Sequence, residues 1–587
     1  MPTSNVVNRN FEEMFNIGVR FEIPFFQRGY AWETRQWKKL FEDIQTEIIE
    51  TVSQNKYEEQ EHFFGPIVVL EKISVEPSLK RFLVIDGQQR ITTVYLLLAV
   101  IKKLLEAKSH ISRDAQKYVS ELEGYLKNRT SNEDDYFKIK VFSSKGDRLS
   151  TFKSVFGTNP NSPFLTDDQL LYIPEENKVD AFLRYANKQL KNADVPELYS
   201  WYQSLIKSLK IVWIPLDDKK DDAQAIFESL NDAGMPLSAS ELLCNYIFKP
   251  LANDDTNEHE KLHNKLWLAA RSKVGEAIFE EYLRDLFSIG EKKRVGKERR
   301  MYVHFKVKNK NLSDTTAKEQ LQKILDYTEV YNQISKPIQY PPASEKIKTL
   351  LIAINYTNMT SIYPFLMSLL KTQENNALTE KETIDLLRET YVLLIRRKIS
   401  TLPVTKYDTF FPPLLEKIIN EQNKLSAFQK QVQSEQLWVS DQSFEEAFVT
   451  KEVYNSRELN FSRHVLQELD KHMQPFGEYP DYSTIHTIEH ILPQTLNAQW
   501  KTHLGADANH YSLPTITNTV GNLCLNSQPA NSSFGQKLFA EKKAAYTDIS
   551  ALARDVKQRQ EPWNIAAIEQ RSKDLAKIAL KVWKWEV

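Results

Sequence analysis

At 587 residues the chain is longer than one hydrophobic core organises, so several domains are expected. Its apolar and charged fractions are those of an ordinary globular protein, and no apolar run approaches the roughly 20 residues of a membrane helix, which excludes a membrane-spanning reading. Cys244 and Cys524 are too few for a disulfide framework or a four-cysteine zinc ribbon, residues 1–10 hold no apolar signal segment, and a net charge of −1 does not announce a nucleic-acid binder; a cytoplasmic protein is expected.

In chain order, residues 21–32 read as an extended segment, with Pro24 blocking helix, that leads into an aromatic and Arg-bearing turn. Helical spacing follows over 37–52. Residues 63–71 and 81–85 are β-branched, apolar runs of strand length. Asp86-Gly87 breaks the second of these, and a strong helix follows over 91–105. Residues 110–205 read as a charged helical insertion, with loops around 128–135 and 157–163. A short strand is expected at 211–216, then 223–230 with Asn231-Asp232-Ala233-Gly234 as a helix stop. A new helix is expected over 238–248, where Ser238 and Glu241 form a capping box. From 250 to 440 the pattern is helical, with breaks at 337–342 and 401–413, and an amphipathic helix closes the chain over 563–585. No internal repeat or low-complexity linker is visible. The whole reads as α+β, mostly helical, in three parts: 1–250, a helical 251–440, and 441–587.

The chemistry concentrates at two places. Near the C-terminal end stands Ile488-Glu489-His490-Ile491-Leu492-Pro493-Gln494, followed by Gly521-Asn522-Leu523 and Asn531. A carboxylate beside a histidine, with two asparagines at this spacing, can build a one-metal phosphodiesterase site. Glu489 and Asn531 would hold a hard cation such as Mg²⁺ or Mn²⁺ through oxygen, His490 would deprotonate water, and Asn522 would orient His490. Lys542 is either a solvated surface lysine or a contact to a neighbouring phosphate. His486-Thr487-Ile488-Glu489-His490 also satisfies the inverted zinc-protease string, but β-branched residues and Pro493 oppose the continuing helix that this chemistry needs. Cys524 reads as a small core residue.

The second place pairs Gln27-Arg28-Gly29-Tyr30 with Asp86-Gly87-Gln88-Gln89-Arg90-Ile91-Thr92-Thr93. Free N–H groups at a helix start attract an anion, and Arg90 and Thr92 can add donors, so a phosphate-bearing ligand is chemically sensible. A structural turn capped by Asp86 would explain the same residues. A basic run over 292–310, including Arg294, Lys297, Arg299 and Arg300 with Tyr302 and Phe305 interleaved, reads either as a solvated face or as a DNA track.

The C-terminal string resembles the ββα-metal (HNH) nucleases. Both strings together, with the 226–238 block and the Trp563, Ile568, Arg571, Leu575, Trp583 pattern, resemble the GmrSD-type restriction endonucleases in single-chain form, whose relatives include BrxU and the phosphorothioate-dependent SspE. The resemblance covers both ends of the chain. It implies an N-terminal domain with a ParB/sulfiredoxin-like α/β core, a helical middle and a C-terminal HNH nuclease domain. It also implies a nucleotide site, for GTP or ATP, at Asp86, Gly87, Gln88, Gln89 and Arg90, with Gln27, Arg28 and Tyr30 facing nucleotide or modified DNA and Glu228 and Asn231 completing it. The implied activity is nucleotide-dependent cleavage of modified phage DNA, with hydroxymethylated or glucosylated cytosine as the mark. Two alternatives stand beside it: a phosphorothioate-sensing NTPase and DNA nickase, and a non-catalytic nucleotide-dependent DNA-binding switch. A homodimer is compatible with the family.

Overall fold

The computed structural model describes the chain outside residues 1–5, 16–17, 51–60, 73–78, 131–133, 159–176, 217–236, 250, 252–255, 475–478, 511, 547–549 and 586–587. It is mostly helical with a small mixed sheet, an α+β fold. The chain forms two compact units, one of residues 1–280 with 296–326, the other of 281–295 with 327–587. The expected helical middle, 251–440, is divided between them.

The first unit is built on six strands: β1 (Val7–Asn10), β2 (Val19–Glu22), β3 (His62–Lys72), β4 (Lys80–Asp86), β5 (Val141–Phe142) and β6 (Leu209–Leu216), in the order β1-β6-β3-β4-β2-β5. The pairs β6–β3, β4–β2 and β2–β5 are parallel, and β1–β6 and β3–β4 are antiparallel. One face of the sheet carries Phe21, Phe82 and Trp213, whose rings meet at 5.3–6.0 Å. Helix α1 (Gln88–Glu106) contributes to the same core, and its residues 91–101 are all buried. A helix apolar all round belongs inside, so α1 is the central rod of the unit. Helices α2 (Lys145–Phe156), α3 (Ala239–Phe248) and α4 (Arg299–Lys308) belong to the same unit.

Most of the expected elements form close to their expected bounds. The capping box at α3 is present: Ser238 Oγ accepts from Glu241 N–H at 3.2 Å, and Glu241 accepts from Ser238 N–H at 2.8 Å. Strand β1 was not expected. Its sequence is polar and it lies exposed at the sheet edge, so it carries no hydrophobic alternation to read. The expected 223–230 segment lies outside the described residues.

The second unit contains the long helix α5 (Glu380–Ile399) and a two-stranded antiparallel sheet, β7 (Thr487–His490) and β8 (Leu523–Asn526), against whose β8 helix α6 (Leu459–Met473) packs. After β8 come α7 (Gln528–Phe534), α8 (Phe539–Ala545), α9 (Ala551–Gln558) and the closing helix α10 (Ile565–Val582). A polar chain fastens α10 in place: Trp583 Nε1–H donates to Tyr391 Oη at 3.0 Å, and Tyr391 O–H reaches His464 Nε2 at 2.7 Å. Arg396 Nε–H donates to the Trp583 carbonyl at 2.8 Å.

Burial pushes the His464 ring down to about 4, against the pull of Glu468 and with a smaller push from Lys471. The unfolded chain, with an ordinary histidine near 6.5, binds more protons between these values. The contribution of His464 is therefore intact above pH 6.5 and lost as pH falls toward 4, up to about 3 kcal/mol at about 1.4 kcal/mol per pH unit. His464→Gln keeps an acceptor for Tyr391 and does not titrate. It is expected to flatten the fall of the urea midpoint across this window; profiles parallel to the wild type would remove His464 as its cause.

Candidate active site

The C-terminal string lies on a strand. Ile488 and the β-branched residues beside it favour extension, and β7 pairs with β8 so that Glu489 faces Cys524 and His490 faces Leu523 across the ladder. The zinc-protease string needs both histidines one turn apart on a helix, whereas His490 ends a strand and His486 lies just before it, so that string has no structural counterpart. His486 Nδ1 instead meets the Ser483 carbonyl.

Glu489 is buried, and its Oε1 accepts from Lys542 Nζ at 2.6 Å. The same ammonium donates to the carbonyls of His490 at 2.9 Å and Ile491 at 3.0 Å, so all its donors are used. Lys542 is fully enclosed on α8 and locks the strand end from within; it is neither a surface lysine nor placed against an outside phosphate. Burial raises the Glu489 carboxyl and lowers the Lys542 ammonium, each against the pull of the other.

His490 is part-buried. Its Nε2 lies 3.2 Å from Asn518 Oδ1, and its ring stands edge-on to Tyr454 at 4.5 Å. Burial pushes its pKa down to about 4, opposed by the Asn518 bond and aided by the charge of Lys542, so the ring is neutral near pH 7.

Asn522 makes no bond to His490. Its Oδ1 accepts from Leu492 N–H at 2.8 Å and from Trp563 Nε1–H at 3.2 Å, while Nδ2 donates to the Leu492 and Thr517 carbonyls, both at 2.8 Å. It clasps the loop that leaves β7, and so acts on His490 through the backbone. The expectation that its side chain holds the ring is replaced by this arrangement. Asn531 lies on α7, which packs against β7, and its Oδ1 is buried with no hydrogen-bond partner in the described protein. An orphaned amide oxygen beside a strand that carries a carboxylate fits a hard cation, which takes oxygen donors. Among the described residues no cluster of three or more His, Cys, Asp or Glu is assembled, so a cation here would draw on amide oxygen beside the Glu489 carboxylate. Cys524 is fully buried and its thiol is pushed up to about 12, as a core residue.

Gly521, before Asn522, is where α10 closes on the site. A Cβ there would stand 2.1 Å from the Ile568 carbonyl oxygen and 2.4 Å from Ser572 Oγ. Arg571 Nη1 donates to the Gly521 and Leu523 carbonyls at 2.9 and 2.8 Å, and its Nε donates to Asp555 at 2.6 Å. Gly521→Ala is therefore expected to destabilise this unit by about 3 kcal/mol, the upper end for overpacking. The check is a urea midpoint; an unchanged midpoint would mean that α10 moves freely away.

In the first unit, β4 ends at Asp86, and Gly87 caps α1 with φ 90°, a left-handed conformation that favours glycine. A Cβ there would also come within 3.0 Å of the Pro66 carbonyl. Arg90 Nη1–H donates to that carbonyl at 3.0 Å and lies 4.0 Å from Asp86 Oδ2; burial lowers its pKa against the pull of Asp86. Gln89 accepts from Ala31 N–H at 2.7 Å and donates to the Gly29 carbonyl at 3.1 Å. Tyr30 O–H meets Thr93 Oγ1 at 2.8 Å, and Tyr30 N–H donates to Asp147 of α2 at 2.5 Å. Gln89 and Tyr30 thus pin the 27–32 loop to the start of α1, and Thr92 is buried in the helix packing.

Gln27 Nε2 donates to the Ile85 carbonyl at 3.3 Å, and its Oε1, like Gln88 Oε1, is buried with no protein hydrogen-bond partner among the described residues. Two such acceptors beside the free N–H groups of a long helix suit a ligand that has both donors and negative charge. Arg28 is half-buried in the same loop. Glu228 and Asn231 lie outside the described residues.

The basic run is not one surface. Arg294 belongs to the second unit and is buried against Asp285, with Nε and Nη2 at 2.8 and 2.6 Å from Oδ1. Burial pushes Asp285 up to about 6 against the pull of Arg294. Arg294 is thus removed from the expected DNA track by an ion pair that the spacing did not disclose. Lys297, Arg299 and Arg300 are exposed in the first unit, whereas Tyr302 and Phe305 point into its core. Sequence reasoning also missed Asn518 and Tyr454. Neither stands in a motif, and only the fold brings them to His490.

A carboxylate–histidine strand end stands in one unit, and a helix start with two buried, unpartnered acceptors among the described residues stands in the other. In comparison with known families, the model described as the GmrSD restriction endonuclease N-terminal domain matches residues 9–248, and that of the GmrSD restriction endonuclease C-terminal domain matches residues 438–578. Together they cover more than half of the chain, which belongs to the GmrSD restriction endonuclease family. It is accordingly a type IV restriction endonuclease, acting on DNA. No curated protein matches it. Among the described residues no helix is long and apolar enough to cross a membrane.

Proposed function

We propose that this protein is a cytoplasmic, nucleotide-dependent endonuclease that recognises phage DNA carrying hydroxymethylated or glucosylated cytosine and cleaves it at a one-metal site of the ββα (HNH) kind. The observation that carries this reading is the end of β7. There Glu489 and His490 stand beside α7, whose Asn531 holds a buried, unpartnered oxygen. Glu489 and Asn531 would hold Mg²⁺ or Mn²⁺, which when bound supplies positive charge to the phosphate and the leaving oxygen. The neutral His490 takes a proton from the attacking water, Asn522 fixes the loop behind it, and Lys542 holds the Glu489 carboxylate in place.

The N-terminal part, with a ParB/sulfiredoxin-like core, would bind GTP or ATP at Asp86, Gly87, Gln88 and Arg90. Gln27 and Arg28 would lie at the ligand, and Gln89 and Tyr30 would shape the loop. Exposed Lys297, Arg299 and Arg300 would meet the DNA backbone. In this reading 1–250 senses nucleotide and DNA, 251–440 couples, and 441–587 cleaves.

The test is cleavage of unmodified, hydroxymethylated, glucosylated and phosphorothioate DNA with Mg²⁺ or Mn²⁺, with and without GTP or ATP. Cutting confined to the modified-cytosine substrates in the presence of nucleotide is expected. Cutting of unmodified DNA, with phosphorothioate DNA stimulating nucleotide hydrolysis, would replace this reading by a phosphorothioate-sensing nickase.

A further inference from the structure

We propose that Asn518 is the positioning residue of this site. It would hold His490 as the tautomer protonated on Nε2, so that Nδ1 is the nitrogen that takes the proton from water. The inference rests on the endonuclease reading for the role of Nδ1, but not for the geometry.

The orientation of the Asn518 amide is decided by its neighbours. Nδ2 donates to the Pro514 carbonyl at 3.1 Å, which leaves Oδ1 as the end that faces His490 and Gln494. Gln494 Nε2–H donates to that oxygen at 2.7 Å. An amide oxygen only accepts, so the His490 Nε2 that lies 3.2 Å from it carries the hydrogen. A neutral imidazole has one N–H, and Nδ1 is left with the lone pair. Among the described residues no protein group bonds Nδ1.

The support for Asn518 is itself fixed. Tyr454 N–H donates to the Asn518 carbonyl at 3.1 Å, and Glu452 bridges to Thr519 in antiparallel fashion. The segment that presents Asn518 therefore also presents the Tyr454 ring, which stands edge-on to the imidazole at 77°. One side of His490 is clamped by these two residues. Asn522 cannot do the same work, because both ends of its amide are bonded to Leu492, Thr517 and Trp563.

The experiment uses the full chain labelled with ¹⁵N-histidine, with His490 assigned by the signal lost in His490→Ala. Wild-type protein is expected to show Nε2 as the protonated nitrogen, and Asn518→Ala to show a mixture of tautomers at unchanged thermal unfolding. In cleavage, Asn518→Ala is expected to lower kcat about 10- to 100-fold, part of what a general base supplies, with KM for DNA little changed. Asn518→Asp, which keeps an acceptor, is expected to restore the Nε2–H signal and part of kcat. An Nδ1–H tautomer in the wild type, or an Asn518→Ala spectrum identical to wild type, overturns the assignment. Should the wild type cleave no DNA, the endonuclease reading fails, while the imidazole signal still decides whether Asn518 holds the ring.

Discussion

Exchange of His490 for alanine is expected to lower DNA cleavage by about 10²–10⁴-fold, the range a general base contributes, while leaving the C-terminal unit folded. The two halves of this expectation have separate grounds. The chemical half follows from a neutral imidazole at the end of β7, beside the Glu489 carboxylate and on the strand against which the Asn531 helix packs. The structural half follows from what the ring touches. Its polar contact is Asn518 Oδ1, which keeps Gln494 as a donor when the ring is gone, so no buried group is orphaned. Lys542 stays bound to Glu489 and to the two backbone carbonyls, none of which is part of the imidazole. Single-turnover cleavage with thermal unfolding alongside measures both. Cleavage at the wild-type rate would remove His490 as the base, and a collapsed melting curve would show that the ring is structural.

Asn522→Asp keeps the shape and inverts two hydrogen bonds. The nitrogen that donates to the Leu492 and Thr517 carbonyls becomes an oxygen facing both at 2.8 Å, in a fully buried position. A carboxylate there is both desolvated and set against two acceptors, and a cost of about 3–5 kcal/mol is expected, as when a buried polar pairing is broken on one side. The new carboxyl would have a folded-state pKa above its unfolded value. Its protonated form is then tolerated below the ordinary aspartate pKa near 4, and stability relative to wild type is lost as pH rises through the folded-state value. Urea midpoints of variant and wild type at pH 4 and pH 7 read this directly. A gap that is wider at pH 4, or no gap at either pH, would mean that Asn522 is not the clasp. Because the clasp holds Leu492, two residues beyond the base, cleavage is expected to fall with it.

Much of the C-terminal site was legible in the sequence because it is local. Glu489 and His490 are neighbours, Pro493 opposes a helix after them, and β-branched residues favour the strand itself. The turn at Asp86-Gly87 was legible for the same reason: a strand, a residue suited to positive φ and a helix start follow without a gap. What was not legible is who touches whom across long separations. Asn522 and Asn518 are both asparagines about thirty residues after His490, and no spacing rule says which one meets the ring. The answer lies in the clasp of Asn522 on Leu492 and Trp563. Arg294 looked like its basic neighbours until Asp285, nine residues earlier, drew it inside. Lys542 read as a surface lysine or a phosphate contact because nothing local marks it for burial. Three acceptors, from residues more than fifty positions away, make its burial tolerable.

The sequence by itself therefore determined most of the segments: where the apolar strands and the capped helices start, which dipeptide carries a carboxylate beside an imidazole, and which family patterns stand at each end. Periodicity, capping and turn chemistry act over a few residues, and a single sequence displays them. Only the tertiary structure decided the roles within the site: Asn518 on the ring, Asn522 on the loop, Lys542 under the carboxylate and Gly521 beneath α10. Each role depends on a donor and an acceptor brought within about 3 Å from distant parts of the chain, and burial sets how much each such meeting matters.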